Sequence, residues 1–109
     1  MKAITNALLM AVDRLDTAGL DLKAFKVLLI VSKHEGGGVL ELAKKGNISR
    51  SVFSRYVTFL SGGTDALPKS EAFISMTAVD HRTKALNLTE KGRELLKTLG
   101  DDVAVIGLS

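Results

Sequence analysis

The chain has 109 residues, of which 46% are hydrophobic and 25% are charged, and it carries a formal net charge of +3. This length suits one domain with a small core, and the composition excludes a wholly disordered chain. Zero cysteines exclude disulfides and thiolate metal sites, and no apolar run approaches the roughly 18 residues of a membrane span. We therefore expect one cytoplasmic domain, residues 1–109, that has no contact with a membrane.

The first predicted helix covers residues 3–17 and is apolar over much of its circumference. One stripe at helical spacing comprises Ile4, Leu8, Ala11 and Leu15. Other apolar residues widen this stripe: Ala7, Leu9, Met10 and Val12. Because one neighbouring element covers only part of such a surface, we assign residues 1–20 to a dimerisation helix.

A second helix is predicted from Asp21, its N-cap, to about Lys33, after Gly19 has ended the first. Its inward residues are predicted to be Leu22, Phe25, Leu28 and Leu29. The three glycines at 36–38 form a loop, and the residues around them do not complete a nucleotide-binding motif.

Residues 39–45 form a short third helix, with Val39 either inside that helix or at the end of a small strand. Gly46 and Asn47 then turn the chain, because both residues tolerate a positive φ at low cost. Ser49 is the predicted N-cap of the next helix.

The fourth predicted helix, residues 49–60, has two faces of opposite character. Its inward face is apolar and comprises Val52, Phe53, Tyr56, Val57 and Leu60. Its outward face has hydroxyls and a guanidinium but no carboxylate, and it comprises Ser51, Ser54, Arg55 and Thr58. Base edges and phosphates in a DNA major groove accept hydrogen bonds, so this face suits a DNA-recognition helix.

Basic charge is concentrated around the same helix. Between Glu41 and Asp65 there is no acidic residue, while four basic residues fall there: Lys44, Lys45, Arg50 and Arg55. In a helix-turn-helix the N-terminal residues of the second helix lie nearest the bases. Here those residues are Ser49, Arg50, Ser51, Ser54 and Arg55. We therefore predict that this segment binds double-stranded DNA.

After this helix, residues 61–70 form a loop longer than the usual connection. Two strand-like runs, 72–79 and 84–88, follow as a hairpin in which Leu86 and Leu88 point inward.

Thr89 caps a fifth helix that runs through Leu99, and Gly100 stops it. The remaining residues, 101–109, form an apolar tail that docks on this domain or on a partner.

The predicted fold is mostly α with a small β-hairpin: a winged helix-turn-helix of about five helices and one wing. Residues 39–60 are the helix-turn-helix, 72–88 the wing, and 89–109 the C-terminal helix and tail. Ala43 is small where two helices cross, and Ile48 fills the corner between them.

The run from Val79 to Gly92 resembles the wing and the following helix of the MarR family of transcriptional regulators. That family has Asp-x-Arg, a strand and then Leu-Thr-x-x-Gly, and the matching positions here are Asp80, Arg82, Leu88, Thr89 and Gly92. The resemblance, which covers about residues 22–99, implies a dimer on a pseudo-palindromic DNA site. It also implies that Arg82 at the wing tip enters the minor groove and that Asp80 orients it.

Other residues of this region contribute to the predicted interface. His81 either contacts phosphate or is simply exposed. Lys84 and Lys91 supply salt-sensitive attraction to phosphates, together with Lys44, Lys45 and Arg50.

The chain also departs from the family pattern. The loop at 61–70 lengthens the link to the wing, and the chain ends soon after the fifth helix, where the family adds a long C-terminal helix. Dimerisation then relies on the first helix, the fifth helix and the tail, or differs altogether. The shortened part also speaks against a small-molecule effector, which many family members bind between the dimer and the DNA-binding parts.

No set of residues in the sequence indicates an enzyme, a cofactor or a metal site. His34 and His81 are far apart and have no partners at metal-ligand spacing. The leading hypothesis is therefore a sequence-specific, dimeric DNA-binding regulator, most simply a repressor that occludes a promoter. The alternatives are a winged-helix protein-interaction module and a plasmid or phage replication or partition factor.

Overall fold

The computed structural model describes residues 2–80 and 83–107, and within them it has five α-helices and one hairpin. The elements are α1 (Lys2–Thr17), α2 (Leu22–Lys33), α3 (Val39–Lys45), α4 (Arg50–Leu60), β1 (Ile74–Ala78), β2 (Lys84–Leu88) and α5 (Glu90–Gly107). A 3-10 turn, Lys69–Glu71, precedes β1. The predicted winged helix-turn-helix fold is confirmed. None of the described helices combines the length and the apolar character that crossing a membrane requires.

Three predicted N-caps are confirmed by hydrogen bonds from the first turn of each helix. Asp21 Oδ1 accepts from the Ala24 backbone N–H at 2.7 Å, and Ser49 Oγ accepts from Val52 at 3.3 Å. Thr89 Oγ1 accepts from the Gly92 N–H at 3.1 Å. Each bond satisfies a helix-terminal donor that has no partner within the helix.

The turn between α3 and α4 follows the sequence prediction at only one of its two residues. Asn47 has a positive φ of 54°, whereas Gly46 has a φ of −87° and is right-handed. Gly46 lies against Ile30, and a Cβ there would require Cδ1 of that side chain to shift. Asn47 is therefore the left-handed residue of this turn.

The core lies between α2, α3, α4 and the hairpin, with α1 and α5 packed along one side. The inward face predicted for α2 is wrong in part, since Leu22 is 82% and Leu29 45% exposed. The buried residues of this helix are Ala24, Val27, Leu28 and Val31. The helix carries two overlapping apolar stripes, and the packing of α4 and β2 selects the one that contains Val27 and Val31.

The hairpin is antiparallel and pairs Ile74 with Leu88 at its base and Ala78 with Lys84 near its tip. Leu86 and Leu88 are buried, as predicted. A third segment extends this sheet: the Gly36 N–H donates to the Leu86 carbonyl, and the Leu86 N–H donates to the Gly37 carbonyl, both at 2.9 Å. The alternative of a strand end at Val39 is therefore wrong, because the strand-like pairing lies at 36–37 and Val39 begins α3.

The fifth helix does not stop at Gly100 and continues to Gly107, contrary to the prediction. Leu99 is buried, and Asp102 pairs with Arg14 of α1 through hydrogen bonds that also raise the pKa of Arg14. A glycine in an exposed helix interior costs only about 1 kcal/mol relative to alanine, which packing against α1 offsets. Residues 101–107 thus extend the helix rather than forming a separate tail.

Tyr56 ties α4 to the start of α2. Its hydroxyl donates to Asp21 Oδ2 at 3.3 Å, while the other oxygen of that carboxylate caps α2. Removal from water in a half-buried position, followed by the negative charge of Asp21 and this hydrogen bond, raises the pKa of Tyr56. One carboxylate thereby fixes both the beginning of α2 and the position of α4.

We expect Gly92→Ala to destabilise the protein by about 1–3 kcal/mol, because a Cβ there would overlap the carbonyl oxygen of Phe73. Gly100→Ala is the matched control, since its Cβ would meet nothing and alanine favours the helix by about 0.5–1 kcal/mol. Urea unfolding measures both. Equal stabilities of the two variants would contradict the close approach of α5 to residue 73.

Tyr56 is the only tyrosine, and the chain has no tryptophan, so tyrosinate absorbance reports its ionisation directly. We expect a titration midpoint above the ordinary value of about 10. The contribution of protonated Tyr56 to the free energy of unfolding is then fully present below about pH 10. It is lost as the pH rises through the higher pKa of the folded state. Asp21→Asn keeps the N-cap but removes the charge, and it should lower the midpoint. A native midpoint equal to that in denaturant would refute the contact.

Candidate nucleic-acid interface

The outward face of α4 is set by what the opposite face buries. Phe53, Val57 and Leu60 are almost completely buried against the core. The four residues predicted to face outward are exposed: Ser51, Ser54, Arg55 and Thr58. The predicted division of this helix into a core face and a free face is therefore confirmed.

The hydroxyls of this region differ in how free they are to donate. Thr58 Oγ1 donates to the Ser54 carbonyl at 3.0 Å, so it must give up that bond before it can donate to another acceptor. Ser49 Oγ only accepts, from Val52, and its own proton stays available. Among the predicted hydroxyl donors, Thr58 is thus the weakest and Ser49 one of the better placed.

The predicted basic residues are exposed around this face. Lys44, Lys45, Arg50 and Arg55 make no ion pair within the described part of the chain. The guanidinium of Arg55 lies 5.9 Å from the centre of the Tyr56 ring, a contact that orients it without neutralising it. Lys84, at the start of β2, is also exposed and unpaired there.

Lys91 differs from these residues because it has a partner within the chain, and its role in phosphate attraction stays a prediction. Its ammonium pairs with Glu71 and lies 5.3 Å from the centre of the Phe73 ring. The ion pair offsets the positive charge that would attract a polyanion, so Lys91 holds the loop before β1 against α5.

Hydrogen bonds link the described residues on the two sides of the wing tip. Asp80 Oδ1 accepts from the Thr83 N–H at 2.8 Å, and the Val79 N–H donates to the Thr83 carbonyl at 2.9 Å. His81 and Arg82 lie outside the described residues. The orientation of Arg82 by Asp80 and the phosphate contact of His81 therefore stay predictions.

A separate crevice of about 750 Å³ lies between α1, α5 and the loop before β1. Apolar side chains such as Met10 and Leu95 line it together with the carboxylates of Asp13, Glu71 and Glu94. Arg14 and Lys91 also line it, but they pair with Asp102 and Glu71, whereas Asp13 and Glu94 make no ion pair within the described residues. These two unpaired acids would repel a polyanion. The candidate nucleic-acid interface is thus the carboxylate-free face of α4 with the neighbouring wing.

No protein-family model and no curated protein matches this chain. Several solved structures share its fold. A multiple antibiotic-resistance repressor (MarR) from Listeria monocytogenes is 19% identical with a TM-score of 0.65, and it aligns over 90% of this chain and 62% of its own. A MarR transcriptional regulator from Methanosarcina mazei is 17% identical with a TM-score of 0.68, over 97% of this chain and 66% of its own.

A third structure is the transcriptional repressor CouR bound to a 23-mer DNA duplex, which is 25% identical with a TM-score of 0.65. The alignment covers 94% of this chain and 66% of CouR. The chain therefore spans between 62% and 66% of the length of these three proteins. Its winged helix-turn-helix is the fold of MarR-family transcriptional regulators, as the wing motif had indicated.

Proposed function

We propose that this chain is a sequence-specific double-stranded DNA-binding transcriptional regulator, which acts as a dimer and represses by occluding a promoter. The observation that carries the proposal is the exposed face of α4, which has hydroxyls and a guanidinium but no carboxylate. The fold likeness to regulators, one of them bound to a DNA duplex, supports the same function.

In this proposal α4 lies in the major groove. Ser51, Ser54 and Arg55 read base edges, and a bidentate contact from Arg55 contributes roughly 1–3 kcal/mol of discrimination. Arg50 with Lys44 and Lys45 contacts phosphates, which gives attraction that falls as salt rises. Ser49 and Thr58 add hydroxyl contacts at the two ends of the face.

The wing supplies a second contact. Arg82 enters the minor groove, where a narrow groove concentrates negative potential, and Asp80 orients it. His81 and Lys84 contact the neighbouring phosphates. Together, the two elements hold one half-site.

The dimer forms through α1 and α5. Leu8, Leu9, Met10 and Val12 of α1 are each half-exposed or more, although all are large apolar residues. This patch supports association with a second copy, because monomeric proteins rarely leave contiguous apolar surface in water. A symmetric dimer would then bind two half-sites about one helical turn apart.

The first test selects bound fragments from a random duplex pool and measures variants against the selected site. We expect Arg55→Ala to weaken specific binding by about 1–3 kcal/mol while leaving binding to random duplex nearly unchanged. Arg82→Ala should weaken binding to both duplexes without unfolding the protein. Lys97→Ala, an exposed charge change on α5, is the control.

Normal affinity for the selected site in both arginine variants would overturn this proposal. Retention on random duplex at low salt, with steep loss as salt rises, separates DNA binding from the protein-interaction alternative. A protein-interaction module of this modest net charge should show little retention.

The dimer is tested by Leu9→Glu, which places a charge in the exposed apolar patch of α1. We expect the mass in solution to change from that of two chains to that of one. The loss of affinity should be larger for an inverted repeat than for random duplex, because only the repeat engages both chains of the dimer. Lys33→Gln, an exposed substitution at the end of α2 and outside the proposed interface, serves as the control. A wild-type protein that is already monomeric at micromolar concentration would contradict the interface.

A further inference from the structure

A cleft of about 470 Å³ separates the C-terminal end of α4 from the hairpin, and we call it the α4–wing cleft. Ser61, which follows α4, lines one side, while Ser75 of β1 and Lys84 of β2 line the wing side. Lys69 from the loop before β1 and Thr89 before α5 also line it. Five separate parts of the chain thus meet around one opening.

The chemistry of this cleft suits an anion. Two ammonium groups and three hydroxyls line it, and none of its lining residues in the described structure is acidic. The hydroxyls of Ser61 and Thr89 already donate to main-chain carbonyls, so the two lysines and Ser75 are the groups that an anion would meet first. Lys69 is exposed and makes no ion pair within the described residues. The crevice beside α1 differs in this respect, because three carboxylates line it and its two cations, Arg14 and Lys91, are already in ion pairs.

The position of Lys69 is fixed by its backbone. Gly62 has a φ of +84°, and a Cβ on it would overlap the Cα of Lys69, so the two main chains pack directly together. The Gly63 N–H donates to the Thr58 carbonyl at 2.8 Å, and the Phe73 N–H donates to the Leu60 carbonyl at 2.8 Å. These contacts fold the long loop back onto the end of α4, so that only the side chain of Lys69, and not its main chain, has to be ordered when it binds an anion.

The geometry of duplex DNA determines what passes through this cleft. A major groove and the adjacent minor groove are separated by one sugar–phosphate strand. If α4 lies in the first groove and the wing in the second, that strand must cross between them. We propose that the α4–wing cleft holds a phosphate of this strand, with Lys69 and Lys84 as its cations. The inference rests on the proposed function and extends the DNA interface to the loop at 61–71.

The test measures duplex affinity by fluorescence anisotropy over a range of salt concentrations. Each phosphate contact contributes about 0.9 to the slope of log affinity against log salt, so Lys69→Ala should reduce that slope by about 0.9. Between 50 and 200 mM salt this is about a three- to four-fold smaller loss of affinity. The reduction should be equal on selected and random duplexes, because phosphates carry no sequence information.

Lys69→Arg keeps the charge and should keep the slope, whereas Lys97→Ala removes a lysine outside the cleft and should also leave the slope unchanged. Thermal unfolding checks that every variant is folded. If Lys69→Ala keeps the wild-type slope while Arg55→Ala still loses discrimination, the phosphate site in the cleft is overturned and the proposed function stands. A loss on the selected duplex alone also overturns it, since Lys69 would then read a base. Failure of the wild-type protein to bind any duplex overturns both proposals.

Discussion

The burial of one side of α4 is the constraint on which the rest of this structure depends. Phe53, Val57 and Leu60 insert into the core between α2, α3 and the hairpin, and a fully buried side chain of this size stabilises by about 1.5–3 kcal/mol. Rotating the helix would expose all three at once. The orientation of Ser54 and Arg55 is therefore enforced by apolar packing, and does not depend on a partner.

Contacts outside the core also fix the orientation of α4. Tyr56 binds the carboxylate that caps α2, and Asn47 makes the left-handed turn that sets the angle between α3 and α4. Gly62 and Gly63 then let the chain fold back at the other end of the helix. Helix α4 is thus held at its start, its middle and its end. Such a rigid support is what a DNA-reading surface needs, because contacts to base edges tolerate little displacement.

The parts of the fold that local chemistry specifies could be predicted from the sequence. The caps at Asp21, Ser49 and Thr89, the turn at Asn47 and the two faces of α4 each depend on residues close together in the chain. The register of α2 could not be predicted, because Leu22, Phe25 and Leu29 form a stripe as regular as the buried one. Only the position of its neighbours decides which stripe is covered.

The other differences between the sequence predictions and the structure also arise from contacts between residues distant in the chain. A glycine at 100 normally ends a helix, but the pair formed by Arg14 and Asp102, 88 positions apart in sequence, favours continuation. The pairing of 36–37 with Leu86 uses backbone groups alone and leaves no side-chain pattern to read. The sequence did not identify Lys69 as a binding residue for a similar reason, since only the folded loop brings it into the same cleft as Lys84.

The most direct measurement is a map of backbone amide shifts on titration with a selected duplex. Our account predicts that the largest changes fall on the outward face of α4, on the wing and around the α4–wing cleft. The crevice lined by Asp13 and Glu94 should change little. Changes confined to α1 and α5, with Ser54 and Arg55 unaffected, would contradict the claim that apolar packing turns this helix toward DNA.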